Sequence, residues 1–184
     1  MGFYIATIPG YPEVMDQPSM LFRNSKEREQ KRGAARKSFL STTFVGVVYP
    51  NQIDHMGHVN VQYYASMFDQ ATWAFLSEFG ITSEYMKVNH RGMAAVSQQT
   101  KYLLELFSGD VVEIQTELLD VTEKSIRFVH TMRRRPRMDT IATSELVGVH
   151  IDADMRKSCP FPQDIKERLS QHAPGLESGN QRRP

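Results

Sequence analysis

The segment from Tyr49 to Phe79, YPNQIDHMGHVNVQYYASMFDQATWAFLSEF, limits the possible folds of this chain more than any other stretch. A Pro50-Asn51 turn signal opens it and the polar run Asp54-His55-Met56-Gly57-His58-Val59-Asn60 follows, after which apolar residues recur at helical spacing. Val61, Tyr64, Ala65, Phe68, Ala71, Phe75, Leu76 and Phe79 fall on one broad stripe with Trp73 beside it, which predicts a helix wrapped on several sides. Asn60 suits the N-cap, where a side-chain oxygen accepts from an amide the helix leaves free. Gly80 suits the left-handed residue just past the end. Polar chemistry therefore stands at the mouth of a helix that belongs inside something.

Strand patterns surround this helix. Thr42 to Tyr49, rich in β-branched and aromatic residues, leads into the polar run. After a linker from Ile81 to Arg91 come four strand-like runs: Gly92 to Leu106 with a bulge, Val111 to Val121, Ser125 to Arg134, and Ile141 to Ile151. Turn compositions separate the four, at Phe107 to Asp110, Thr122 to Lys124 and Arg135 to Asp139. In the second run Val111, Glu113, Gln115 and Glu117 alternate against Val112, Ile114 and Thr116. A proline-containing turn at Cys159 to Pro162 and a short helix from Gln163 to Leu169 follow. Strand, long helix, then four strands is an α+β order, and a long apolar helix is the simplest cover for one face of an antiparallel sheet. The open sheet edge predicts at least a dimer.

Asp54, then Gly57-His58-Val59-Asn60, then Tyr64 in the helix resemble the signature of the hotdog-fold acyl-CoA thioesterases related to 4-hydroxybenzoyl-CoA thioesterase, over Thr43 to Leu169. The resemblance implies a single hotdog domain at 41–172, an antiparallel sheet wrapped around one long central helix. It also implies hydrolysis of an acyl-CoA to a carboxylic acid and free CoA, no cofactor beyond the CoA carried by the substrate, and a homodimer or homotetramer. Asp54 matches the catalytic aspartate of that family, as general base toward water or as nucleophile, and both routes stay open. The competing reading is that Asp54 closes a turn. Gly57 lets backbone approach a thioester, and the free amides near Val61 fall where an oxyanion is stabilised at a helix start. Plant acyl-carrier-protein thioesterases share an aspartate four residues before a histidine and an asparagine two beyond it, so His58 and Asn60 join the candidate site. Asn60 is equally a plain cap.

Other candidates carry less weight. Arg133, Arg134, Arg135 and Arg137 form a basic hairpin suited either to CoA phosphates or to solubility. Asp69, inside the helix, lies near where another hotdog branch places its carboxylate, yet Asp54 makes it a helix-face residue first. Tyr63, Tyr64, Trp73 and Phe75 are core aromatics before they are an acyl pocket. His55 and His58 lack the carboxylate or cysteine partners of a metal site, so no metal is expected. His90, His130 and His150 read as structural. A hotdog dehydratase would need a D-x-N-x-x-H spacing that this chain lacks; acyl-carrier-protein thioesterase and non-catalytic acyl-CoA-binding module are the remaining alternatives.

With a formal net charge of +1, nothing global calls for nucleic acid or membrane as partner. Cys159, the one cysteine, excludes an internal disulfide and fits a cytoplasmic location. Residues 1–40 change from Pro/Gly-punctuated to charged and read as a tail or docking arm, and 173–184 as a disordered tail.

Overall fold

A computed structural model describes residues 39–173. The expectations for the arm and for the last residues of the tail lie outside that range. Strand β1 (Leu40–Val47) and a single 3₁₀ turn (Pro50–Gln52) precede the long helix α1 (Val61–Glu78) and a short helix α2 (Ser83–Asn89). Strands β2 (Arg91–Tyr102), β3 (Val111–Val121), β4 (Ser125–Arg135) and β5 (Asp139–Asp152), a two-residue β6 (Lys157–Ser158) and helix α3 (Gln163–His172) complete the order. The strands form one antiparallel sheet in the order β1-β3-β4-β5-β2, with β6 extending it beside β5.

Local chemistry sets the ends of α1. Asn60 stays extended and its side-chain oxygen accepts from Gln62 N, as an N-cap should. At the far end Gly80 has φ +88°, its amide donates to Ser77 O, and Ile81 N donates to Leu76 O. That pair of bonds is a Schellman cap, which needs the left-handed conformation glycine adopts freely.

The buried stripe of α1 is Tyr64, Met67, Phe68, Ala71, Phe75 and Leu76. The expected wrapping on several sides is not met within one copy: Ala65, Asp69, Trp73 and Ser77 are exposed. The sheet covers one side of the helix only, because β2 leaves its outer edge unpaired among the described residues. The predicted bulge in β2 falls between Ala95 and Ser97. The linker expected from Ile81 to Arg91 contains α2, capped by the Thr82 hydroxyl, which accepts from Tyr85 N. The first strand begins two residues before its expected start, at Leu40.

Two apolar clusters make the core. One, at the end of the sheet where α1 finishes, joins Phe75, Phe79, Ile126, Phe128 and Leu169; the other, toward the helix start, joins Val59, Tyr64, Phe68, Ile114 and Met132. A polar row crosses the sheet between them. Thr116 on β3 pairs in register with His130 on β4, His130 with Ser144 on β5, and Ser144 with Thr100 on β2; Thr43 on β1 bonds to Thr116 at 2.7 Å. His130 is fully buried at the centre of this row, with Thr116 Oγ1 2.7 Å from Nδ1 and Thr72 Oγ1, from the helix above, 2.9 Å from Nε2. Thr72 already donates its one hydroxyl proton to Phe68 O, so the proton on His130 sits at Nε2 and Thr116 donates to Nδ1. Burial pushes the His130 pKa down to about 4, which keeps the ring neutral. His130 is the structural histidine expected of it, and it ties α1 to β4.

Candidate active site

The polar run folds into a tight turn at the mouth of α1. Asp54 N donates to His58 O and Gly57 N to Asp54 O, while Ile53 and Val59 form an isolated antiparallel bridge that closes the base. Gly57 takes φ +83°, and a Cβ built there meets nothing within 4 Å. Its glycine therefore serves the left-handed turn rather than a close packing contact in this copy. Val59 N donates to Leu106 O, which seats the turn against the chain entering β3.

The Asp54 carboxylate is held at both oxygens. Oδ1 accepts from Met56 N at 2.8 Å and Oδ2 from Asn60 Nδ2 at 3.3 Å. Asp54 thus does close an Asx turn, and that turn aims its carboxylate. The two readings of Asn60 also prove compatible: Oδ1 caps the helix through Gln62 N while Nδ2 reaches back to Asp54. Among the described residues no acceptor meets Val61 N–H, the first amide of the helix. A half-buried carboxylate and a free helix-start amide are joined here by one residue, Asn60.

His58 is buried, yet its ring does not touch the Asp54 carboxylate. Nδ1 lies 3.4 Å from Val59 O, and Nε2 faces the Glu105 carboxylate at 3.8 Å. His58 acts on Asp54 through its backbone carbonyl. Sequence reasoning missed Glu105, whose only signal was one acid in the apolar run Leu103 to Phe107. Beneath the turn, Tyr64 is buried with its hydroxyl unpartnered among the described residues and its pKa pushed up to about 12, chiefly by burial. The Leu106 backbone beside it offsets part of that rise.

The basic hairpin sits at the same end of the sheet, since Asp110, bonded through its carbonyl to Val48 N, also pairs with Arg134. Strand alternation splits it. Arg134 pairs with Asp110 and Asp139, both at 3.4 Å, whereas Arg133 bonds Gln115 and Arg135 bonds Glu113 on the outer face. Glu113 is 4 % exposed beneath these side chains, although its alternation places it opposite the core; the Arg135 bond holds its pKa down. Arg137 is exposed and makes no ion pair among the described residues.

A cavity of about 390 Å³ opens between the uncovered side of α1 and strands β2 and β5. Trp73 and Asp69 line it; of the other aromatic candidates, Tyr63 bonds Asn51 O, and Tyr64 and Phe75 are core. No group of three potential ligands is placed to hold a metal among the described residues, nor is any helix there long and apolar enough to cross a membrane.

An antiparallel sheet curled against one long helix, with an acidic turn at the helix mouth, is the hotdog arrangement. The model of the thioesterase-like superfamily matches residues 48–169; the chain belongs to that family and is a thioester hydrolase. It is 26% identical over 70% of its length to a betainyl-CoA thioesterase of Pseudomonas aeruginosa, 80% of which is covered. It is 28% identical over 67% of its length to an L-carnitine dehydrogenase/betainyl-CoA thioesterase of Rhizobium meliloti, and spans only 25% of that protein. A hypothetical protein of Staphylococcus aureus solved in complex with CoA has the same fold, with a TM-score of 0.69, 21% identity, and coverage of 76% of this chain and 87% of the other.

Proposed function

We propose that the chain hydrolyses an acyl-CoA with Asp54 as the reacting carboxylate and the amide of Val61 as the oxyanion donor. The observation that carries this reading is the Asp54 carboxylate fixed at both oxygens and tied by Asn60 to a helix whose first amide, Val61 N–H, meets no acceptor among the described residues. By the general-base route Asp54 takes a proton from water and the hydroxide adds to the thioester carbon. The oxyanion rests on Val61 N–H, the C–S bond breaks, and the thiolate leaves without needing an acid, since a thiol pKa is about 8.5. By the nucleophilic route an Asp54 oxygen adds first and water cleaves the resulting anhydride. The reaction calls for no cofactor. The names of two relatives make betainyl-CoA the first ester to assay. Arg137, and Arg134 where its pairs yield, are the candidates for CoA phosphates. A second copy completes the site by covering α1 along β2.

Asp54→Asn should lower the rate of thiol release on the order of 100-fold or more with the fold intact, because a carboxamide neither takes the proton nor attacks. Activity within a few-fold of wild type, with deamidation excluded by mass, removes Asp54 from the chemistry.

A further inference from the structure

The end of the sheet where α1 finishes lies away from the Asp54 turn and carries more acid than its own cations answer. Glu78, Glu117 and Asp120 meet there, and none pairs with a lysine or arginine among the described residues. Ser41 Oγ donates to Glu78 at 2.6 Å, and Glu117 stands opposite Leu40 across the β1–β3 pairing. Asp120 comes just after Leu118, whose amide donates to Phe39 O. Leu40 and Ser41 point to opposite faces, so the acids flank the start of β1 on both sides of the sheet. The nearby cations are committed elsewhere: Arg127, in register with Asp120, reaches to Glu145, Lys166 bonds Glu123, and Arg168 bonds Asp164 and Phe79 O. Helix α1 has no basic residue in its last turn, so Glu78 adds to the negative end of an 18-residue helix. Strand β1 is itself an open edge among the described residues, with Leu40 and Val45 exposed on it.

We propose that residues 23–37 of the same chain dock over the start of β1 and answer these three acids. The proposal stands apart from the thioesterase reading. Between Arg23 and Lys37 the sequence carries seven lysines and arginines against two glutamates, a charge complementary to the patch. A single exposed ion pair contributes little, whereas several cations facing three unanswered acids and a helix end act together. The tract also ends where the patch begins. Lys37 stands two residues before Phe39, at most about 7 Å along the chain, and the Phe39 ring is held by Phe75, Phe79 and His172. A tether that short gives the tract an effective concentration that the same segment of a separate copy in solution does not reach. Covering Leu40 blunts this edge against strand addition, which leaves β2 as the edge open to a second copy among the described residues.

Carbodiimide cross-linking of the full-length protein tests this, because the reagent joins an amine to a carboxylate only where the two touch. Unlabelled and ¹⁵N-labelled copies are mixed beforehand, so that links within a chain and between chains separate by mass. Peptide mass spectrometry should find links from Lys26, Lys31 or Lys37 to Glu78, Glu117 or Asp120, within one isotope. Their yield should be about threefold or more that of links to Asp69 and Asp154, exposed acids elsewhere on the fold, and should fall by a similar factor in about 0.5 M salt. Glu117→Lys with Asp120→Lys should lower the links to Glu78 about threefold. Should that variant fold poorly, Arg32→Glu with Arg36→Glu, which alters the tract alone, should lower the links from Lys31 and Lys37 by as much. Links spread evenly over the exposed acids, or yields that ignore both salt and charge reversal, overturn the docking. Links found chiefly between heavy and light copies overturn it too, by assigning the tract to a neighbouring chain.

Discussion

Acid should loosen the helix from the sheet through one side chain, His130. The folded protein binds it neutral, with Thr116 donating to Nδ1 and Nε2 donating to Thr72 on α1. Burial lowers its pKa from 6.5 to about 4. Below pH 6.5 the unfolded chain takes up a proton that the folded chain refuses until about pH 4, so protonation favours the unfolded state across that window. The stability that depends on neutral His130 is complete above the upper value and is lost progressively down to the lower one. A difference of about 2.5 units at 1.36 kcal/mol each corresponds to roughly 3 kcal/mol, a large part of the stability of an ordinary domain. His150, whose pKa burial also lowers, acts in the same direction, so the measurement needs a reference. Urea unfolding at several pH values between 7.5 and 4 should show wild type losing about 3 kcal/mol more than His130→Gln, which keeps polar groups but does not titrate. Parallel curves for the two proteins would refute the argument. Should the variant fold poorly, NMR titration of the wild-type ring decides the same point, and a midpoint near 6.5 refutes it.

Two further outcomes concern single groups. Tyr64→Phe removes a buried hydroxyl with no partner among the described residues and should leave stability unchanged or raise it by about 1 kcal/mol in urea unfolding; a loss above that size would mean the hydroxyl is paired. Arg135→Met leaves the buried Glu113 without its cation and should cost about 1 to 3 kcal/mol, whereas Arg137→Ala should spare stability and raise KM for acyl-CoA over a substrate lacking the nucleotide. Equal kinetic loss on both substrates for Arg137→Ala would exclude a phosphate contact.

What could be read in the sequence was local. Asn60 and Gly80 mark the helix ends because capping is chemistry between neighbours, and the alternation in β3 and β4 survives because each strand keeps one face inward. The Asp54 turn was legible through its resemblance, yet its second anchor, Asn60 Nδ2, requires a chain reversal that spacing alone does not specify. Helix α2 was lost because its seven residues carry no apolar stripe and only the Thr82 cap announces it. Glu113 looked solvent-facing: its cation, Arg135, is brought over it by the hairpin register, which no single strand encodes. The polar row through His130 was invisible for the same reason. Thr43, Thr116, Ser144 and Thr100 are unremarkable until four strand pairings align them.

The uncovered side of α1 joins assembly to the proposed chemistry. Trp73 and Val96 are 41% and 62% exposed, and β2 offers an unpaired edge beside them, where a second β2 would continue the sheet and a second helix would face the first. Such a closure removes Asp69 from water. An unpaired carboxylate taken out of water costs several kcal/mol, so the closed assembly gains from any partner that satisfies it across the interface. Binding then stabilises association by mass action. Sedimentation across a dilution series should show a dimer or larger species, activity falling as it dissociates, and a lower dissociation midpoint in the presence of an acyl-CoA. A fully active species at the monomer mass of 21.1 kDa would overturn both the shared roof over the cavity and the linkage built on it.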